Sequence, residues 1–166
     1  MKKLLLLLIL PFALFSQNLQ GITGIRDYSY NNQDALKNDQ KAVPDLTLGV
    51  HLLQNPVDSV INFSYKKIGE RELKMDYYGP KSTNNLPALL FIHGGGWRTG
   101  DKQQHRELAK SLVDKGFRVF LIEYRLSTDA LYPAAMLDVH DGLKFLFEQA
   151  KKYHINSKQI SVAGFS

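Results

Sequence analysis

Two short stretches carry residue types that can do chemistry together. The first is Phe91-Ile92-His93-Gly94-Gly95-Gly96-Trp97, where an apolar run ends at a histidine and three consecutive glycines. Without Cβ atoms, the main-chain N–H groups of such a loop stay open to an approaching atom and can hold an oxyanion. The second is Gly164-Phe165-Ser166, which follows the apolar run Ile160 to Ala163 and supplies the first three letters of a Gly-x-Ser-x-Gly elbow. In that elbow a sharp strand-to-helix turn exposes a serine hydroxyl. A serine oxygen attacking a carbonyl drives negative charge onto the carbonyl oxygen, and N–H donors fixed beforehand stabilise it. Each stretch also has a plainer reading, since three glycines make an ordinary flexible turn and Gly-x-Ser is common. Their order, each after an apolar run, favours the joint one.

The elements that must position these groups are legible from residue 60 onward. Val60 to Ile68 and Leu73 to Tyr78 alternate loosely around Gly69-Glu70, the pattern of two antiparallel strands joined by a tight turn. Ala88 to Ile92, Val119 to Ile122 and Ile160 to Ala163 are short apolar runs without alternation, as in strands buried on both faces of a parallel sheet. Between them, Asp101 with Gln104 three residues on predicts a capping-box helix start. His105, Leu108, Ala109 and Leu112 then share a face until Gly116. Tyr132-Pro133 predicts the start of a second helix, with Met136, Val139, Leu143, Leu146, Phe147 and Ala150 as its buried stripe. Strand, helix, strand, helix, strand predicts right-handed crossovers and a parallel sheet covered on both faces, with chemistry at the carboxyl ends of the strands.

Composition bounds the rest. The chain has 166 residues, 44% of them hydrophobic, which suits one globular domain. Its formal charge is +5, and two of those charges are Lys2 and Lys3. The other basic residues are interspersed with Asp and Glu, with no basic block, so nucleic acid is not an expected partner. With no cysteine there is no thiolate nucleophile, no disulfide framework and no Cys-based metal site. Lys2 and Lys3, the run Leu4 to Leu10 and the short site ending at Ser16 have the layout of a secretory signal peptide over residues 1–16. Pro11 and the polar Gln17 and Asn18 leave the run short of a membrane span, which predicts a secreted or periplasmic protein with no membrane contact after cleavage. Residues 17–59 are polar and poorly patterned and read as a leader or linker.

These parts together resemble the α/β-hydrolase fold, and within it the esterases with a His-Gly-Gly-Gly-Trp oxyanion loop, related to the hormone-sensitive-lipase group and to bacterial acetyl and feruloyl esterases. The resemblance covers about residues 60–166. It rests on Asp76-Tyr77-Tyr78-Gly79-Pro80, His93 to Trp97 with Gly100-Asp101-Lys102, Tyr124-Arg125-Leu126, Tyr132-Pro133-Ala134-Ala135 with Asp138, and Gly164-Phe165-Ser166. It implies a mostly parallel, doubly wound α/β sheet with an antiparallel N-terminal hairpin, the C-terminal half of the domain falling beyond Ser166. It implies Ser166 as nucleophile and the N–H groups of Gly95 and Gly96, with that of the residue after Ser166, as oxyanion donors. His93 and Gly94 would shape the loop, and Trp97 would wall an acyl or alcohol pocket or pack as core. Asp138 would support loops near the site; by position alone it is a carboxylate in the first turn of a helix, and Arg125 is a candidate partner.

In this fold the triad runs Ser, then Asp or Glu, then His, so acid and base are expected beyond Ser166. His105, His140 and His154, on predicted helices, read as solvated or boundary residues, and His51 lies in the unread leader. The expectation is an exported carboxylic-ester hydrolase acting through an acyl-serine, on a small-molecule or polysaccharide-linked ester, without cofactor or metal. A serine exopeptidase of the same fold and a non-catalytic hydrolase-like binding module stay open. Residues 1–166 alone are expected to be inactive and prone to aggregate. Nothing in the sequence fixes the oligomeric state.

Overall fold

The computed structural model describes Gly24 and residues 26–166; the expected signal segment lies outside the described residues. Five strands, β1 (Val57–Ile68), β2 (Arg71–Pro80), β3 (Leu86–Ile92), β4 (Arg118–Ile122) and β5 (Ile155–Gly164), form one sheet in the order β1-β2-β4-β3-β5. β1 and β2 make the expected antiparallel hairpin at one edge, and β2 runs antiparallel to β4. β3 is parallel to both β4 and β5.

Alternation along the strands sorts side chains into two cores. Met75, Tyr77, Leu90, Phe120 and Ile122 point to one face, where α3 (Ala134–Glu148) brings Leu146, Val139 and Leu143. Tyr78, Phe91, Val119 and Leu121 point to the other, where α2 (Arg106–Val113) brings Ala109 and Val113. β4 is buried along its whole length, which its sequence Arg-Val-Phe-Leu-Ile tolerates because Arg118 is satisfied at its entry. The Arg118 guanidinium donates to the Tyr77 hydroxyl (2.6 Å), the Ser82 carbonyl (2.7 Å) and the His154 carbonyl (2.8 Å).

Four expectations need correction. Asp101 does cap, but it accepts from the Gln103 N–H (2.6 Å) and opens a 3-10 turn, Lys102–His105, before α2 begins. The buried line of α2 is Ala109 and Val113, while Leu108 is exposed. On α3 the buried line is Ala134, Asp138, Gly142 and Leu146, and Met136 and Phe147 are half exposed. Apolarity misplaces that stripe because two of its positions are a glycine, which lets Ile122 of β4 approach, and an ion-paired aspartate. Asp138 thus lies in the second turn of α3, not the first, and partners other than the helix dipole hold it.

The segment ahead of the hairpin is partly structured. α1 (Asn32–Asp39) is capped by Asn31, whose side chain accepts from Gln33 and Asp34 N–H groups. Arg26 is buried in the domain, and His51 pairs with Asp114 at the end of α2 (2.6 Å). Among the described residues no helix is long and apolar enough to cross a membrane.

Candidate active site

The strand register brings the two sequence motifs to one edge of the sheet. Ile92 pairs with Ile122 of β4 and with Gly164 of β5, so the three parallel strands end level. The Phe165 N–H donates to the Ile92 carbonyl (3.1 Å), carrying that pairing one residue past β5. A Cβ on Gly94 would meet the Ser166 backbone at 2.6 Å, so only glycine lets the loop pass so close to Ser166. His93, Gly94, Gly96, Trp97, Tyr124, Phe165 and Ser166 line a single cleft of ≈ 410 Å³.

The glycine loop has a defined shape. Gly95 (φ +120°) and Gly96 (φ +60°) take backbone conformations that side chains disfavour, and Trp97 holds φ +61° despite its bulk. Such strain is held by surrounding contacts. The Gly95 carbonyl accepts from the Arg98 and Thr99 N–H groups (3.1 Å each), and the Trp97 carbonyl accepts from the Ser127 N–H (2.7 Å). A Cβ at Gly95 would collide with the Thr99 carbonyl. Among the described residues, neither the Gly95 nor the Gly96 N–H donates to a backbone carbonyl.

His93 lies behind this loop, 2% exposed. Its Nδ1 is 2.8 Å from the Gly94 carbonyl and its Nε2 is 2.9 Å from an Arg26 nitrogen. A guanidinium can only donate, so Nε2 is the acceptor and Nδ1 carries the proton. Burial pushes the imidazole down to about 4, and the Arg26 charge adds to the fall. His93 is therefore neutral, with both nitrogens engaged. Tyr124 stacks on its ring (centroids 4.4 Å apart) and donates its hydroxyl to the His93 carbonyl (2.7 Å). Burial pushes that phenol up to about 12, which keeps it a donor.

Beyond the loop, Asp76 and Lys102 form a buried ion pair (2.8 Å) that ties β2 to the loop's exit. Asp76 also accepts from the Asn62 N–H (2.8 Å) and the Gln103 side chain (2.9 Å). Phe165 stacks on His105 (centroids 3.6 Å) and meets Phe91 edge-on (5.2 Å), which fixes the path of the chain into Ser166. Trp97 is 48% exposed and walls both the cleft and a second, apolar one of ≈ 330 Å³ with Ala130, Tyr132, Ala135 and Met136.

Asp138 is not brought to the cleft. It is fully buried under the loop after β4, accepting from Arg125 Nε (2.8 Å), Arg125 Nη2 (2.9 Å), the Arg125 N–H (3.0 Å) and Lys66 (2.7 Å). Burial alone would raise its carboxyl, but the Arg125 and Lys66 hydrogen bonds outweigh that and hold it below the usual range. The same loop supplies Ser127 to the Trp97 carbonyl, so Asp138 reaches the site through the backbone it braces. Of the remaining histidines, His140 is exposed on α3, while His105 lies in the 3-10 turn and His154 in the turn before β5, neither on an α-helix. Among the described residues no group of three or more His, Asp or Glu could hold a metal ion. Two contributors escaped sequence reading. Tyr124 belongs to a quoted motif but received no role, and Arg26 lies in a stretch whose pattern carries no signal of a buried position.

Esterase B from Lactobacillus rhamnosis superposes with a TM-score of 0.63 at 20% identity, over 80% of this chain and 42% of that one. Carboxylesterase NlhH of Mycobacterium tuberculosis is 33% identical over 91 residues, 54% of this chain and 28% of its own length. Ethyl acetate hydrolase of Pseudomonas putida is 36% identical over 80 residues, 48% of this chain and 25% of its own. The chain therefore spans only about a quarter of the length of these two curated relatives. Fold and likeness define the class, an α/β-hydrolase similar to esterases. A family model matches residues 75–166, more than half of the chain, and the chain belongs to that family, BD-FAE.

Proposed function

We propose that the protein carrying this chain is an exported serine hydrolase that cleaves carboxylic esters through an acyl-serine intermediate. The observation that carries the reading is the packing of the glycine loop against Ser166 on one cleft at the level ends of β3, β4 and β5. In this reading Ser166 attacks the ester carbonyl, and the N–H groups of Gly95 and Gly96 receive the oxyanion. His93 is not the base, because its Nε2 lone pair is taken by Arg26; the base and its orienting acid come from beyond Ser166. Trp97 contacts the acyl or alcohol group. The ester reading is favoured over a peptide one by the likeness to a carboxylesterase and an ethyl acetate hydrolase. The signal-like residues 1–16 support export.

The test uses the full-length enzyme, short-chain p-nitrophenyl esters and matching anilides. Wild type is expected to turn over the esters with a burst, and Ser166→Ala to lower kcat by roughly a thousandfold or more with the fold intact. A phosphonate probe should label Ser166 stoichiometrically. Turnover that survives Ser166→Ala, or labelling elsewhere, sinks the assignment.

A further inference from the structure

Arg26 stands outside the matched family region and outside every motif read from the sequence, yet its guanidinium reaches three separate parts of the site. Nη1 donates to the Tyr124 carbonyl, two residues past β4 (2.6 Å). Nη2 donates both to the Gly100 carbonyl (3.0 Å) and to His93 Nε2 (2.9 Å). A single planar fork thus grips the entry of the glycine loop at His93 and its exit at Gly100, while Glu123 approaches it at 3.8 Å. The backbone that delivers Arg26 is itself fastened. Gly24 donates to the Thr128 carbonyl (3.1 Å), Tyr30 donates its N–H to the Thr99 hydroxyl (3.1 Å), and that hydroxyl donates to the Asp27 carbonyl (3.3 Å). Thr99 is the residue whose carbonyl lies against Gly95.

The consequence follows from peptide geometry. Because Arg26 donates to Nε2, the His93 proton must sit on Nδ1, and Nδ1 then donates to the Gly94 carbonyl. The Gly94 carbonyl and the Gly95 N–H belong to one rigid planar peptide and point in opposite directions. Holding the carbonyl toward the imidazole therefore aims the Gly95 N–H away from it. A lysine has its three donors on one nitrogen and no planar fork, so it does not reproduce contacts that Arg26 divides between Nη1 and Nη2.

We propose that Arg26 is a positioning residue for the glycine loop: it spans the loop's two ends and fixes the His93 tautomer, and so sets the direction of the Gly95 amide. This rests on the reading of that loop as the oxyanion-binding element. The experiment compares full-length wild type with Arg26→Met and Arg26→Lys, with kcat counted per site titratable by the phosphonate probe so that unfolded protein does not enter. Expected are a ~10- to 100-fold loss of kcat in both variants with KM little changed, smaller than removing a donor outright. Methylguanidine is expected to restore part of the Arg26→Met rate. Nitrogen-15 NMR of the imidazole should show the Nδ1–H form in wild type and a mixture in Arg26→Met. A variant that keeps its wild-type kcat per titrated site, or an unchanged His93 tautomer, overturns the proposal. The tautomer readout needs no turnover, so an inactive wild type would sink the function reading and leave this inference to be judged by the ring alone.

Discussion

His93 shows how a residue type can suggest one role and its surroundings enforce another. A histidine beside a candidate nucleophile invites the part of general base, but this one is neutral, buried and bonded at both nitrogens. Its depressed imidazole has a consequence for stability. Below the ordinary imidazole value of 6.5 the unfolded chain takes up a proton that the folded chain refuses until about 4. The contribution of His93 is therefore complete above 6.5 and drains as pH falls from there toward 4, by about 1.4 kcal/mol per pH unit across that window. Burial lowers His105 in the same direction. Denaturant unfolding at about pH 7 and about pH 4.5 is expected to show a loss of ~2 to 3 kcal/mol that His93→Gln reduces. An equal loss in both proteins would assign the pH dependence elsewhere.

Among the elements, the glycine loop is anchored by two kinds of chemistry, an arginine fork that spans its two ends and the Asp76–Lys102 pair just past its exit. Breaking a buried pair by removing one partner leaves an uncompensated charge and costs about 3–5 kcal/mol. Asp76→Ala also strands the Asn62 N–H and the Gln103 amide, so a loss in the upper part of that range is expected by chemical denaturation. Lys102→Met should cost less, and a drop under about 1 kcal/mol in Asp76→Ala would show that the pair is not what ties β2 to the loop. The hairpin and the parallel relation of β3, β4 and β5 are readable because strands write themselves into apolar runs. The order β1-β2-β4-β3-β5 is not, and β5, expected to be buried on both faces, is largely exposed because it lies at the edge of the sheet among the described residues. The stripe of α3 was not readable either, since Asp138 and Gly142 occupy buried positions for reasons of pairing and close approach that no hydropathy pattern carries. Arg26 was illegible for a related reason, as its partners Gly100 and Tyr124 lie 74 and 98 residues away in sequence.

At the scale of the molecule, β5 is an edge of the sheet, with Val162 46% exposed. Its outer N–H and C=O groups have no strand beside them among the described residues, and such an edge is a template for pairing with another chain. Residues 17–166 prepared alone are expected to elute as oligomers in size-exclusion chromatography and to hydrolyse no ester; a stable monomer with serine-dependent turnover would contradict this. The level strand ends have a further consequence. Because Ile92, Ile122 and Gly164 finish in one row, β3 acts as a ruler for the whole rim of the cleft. Deleting one residue from it would draw the glycines back by about 3.3 Å and turn every later side chain to the wrong face. Changes of length are thus expected to be tolerated in the connections and not in the strands beneath the rim.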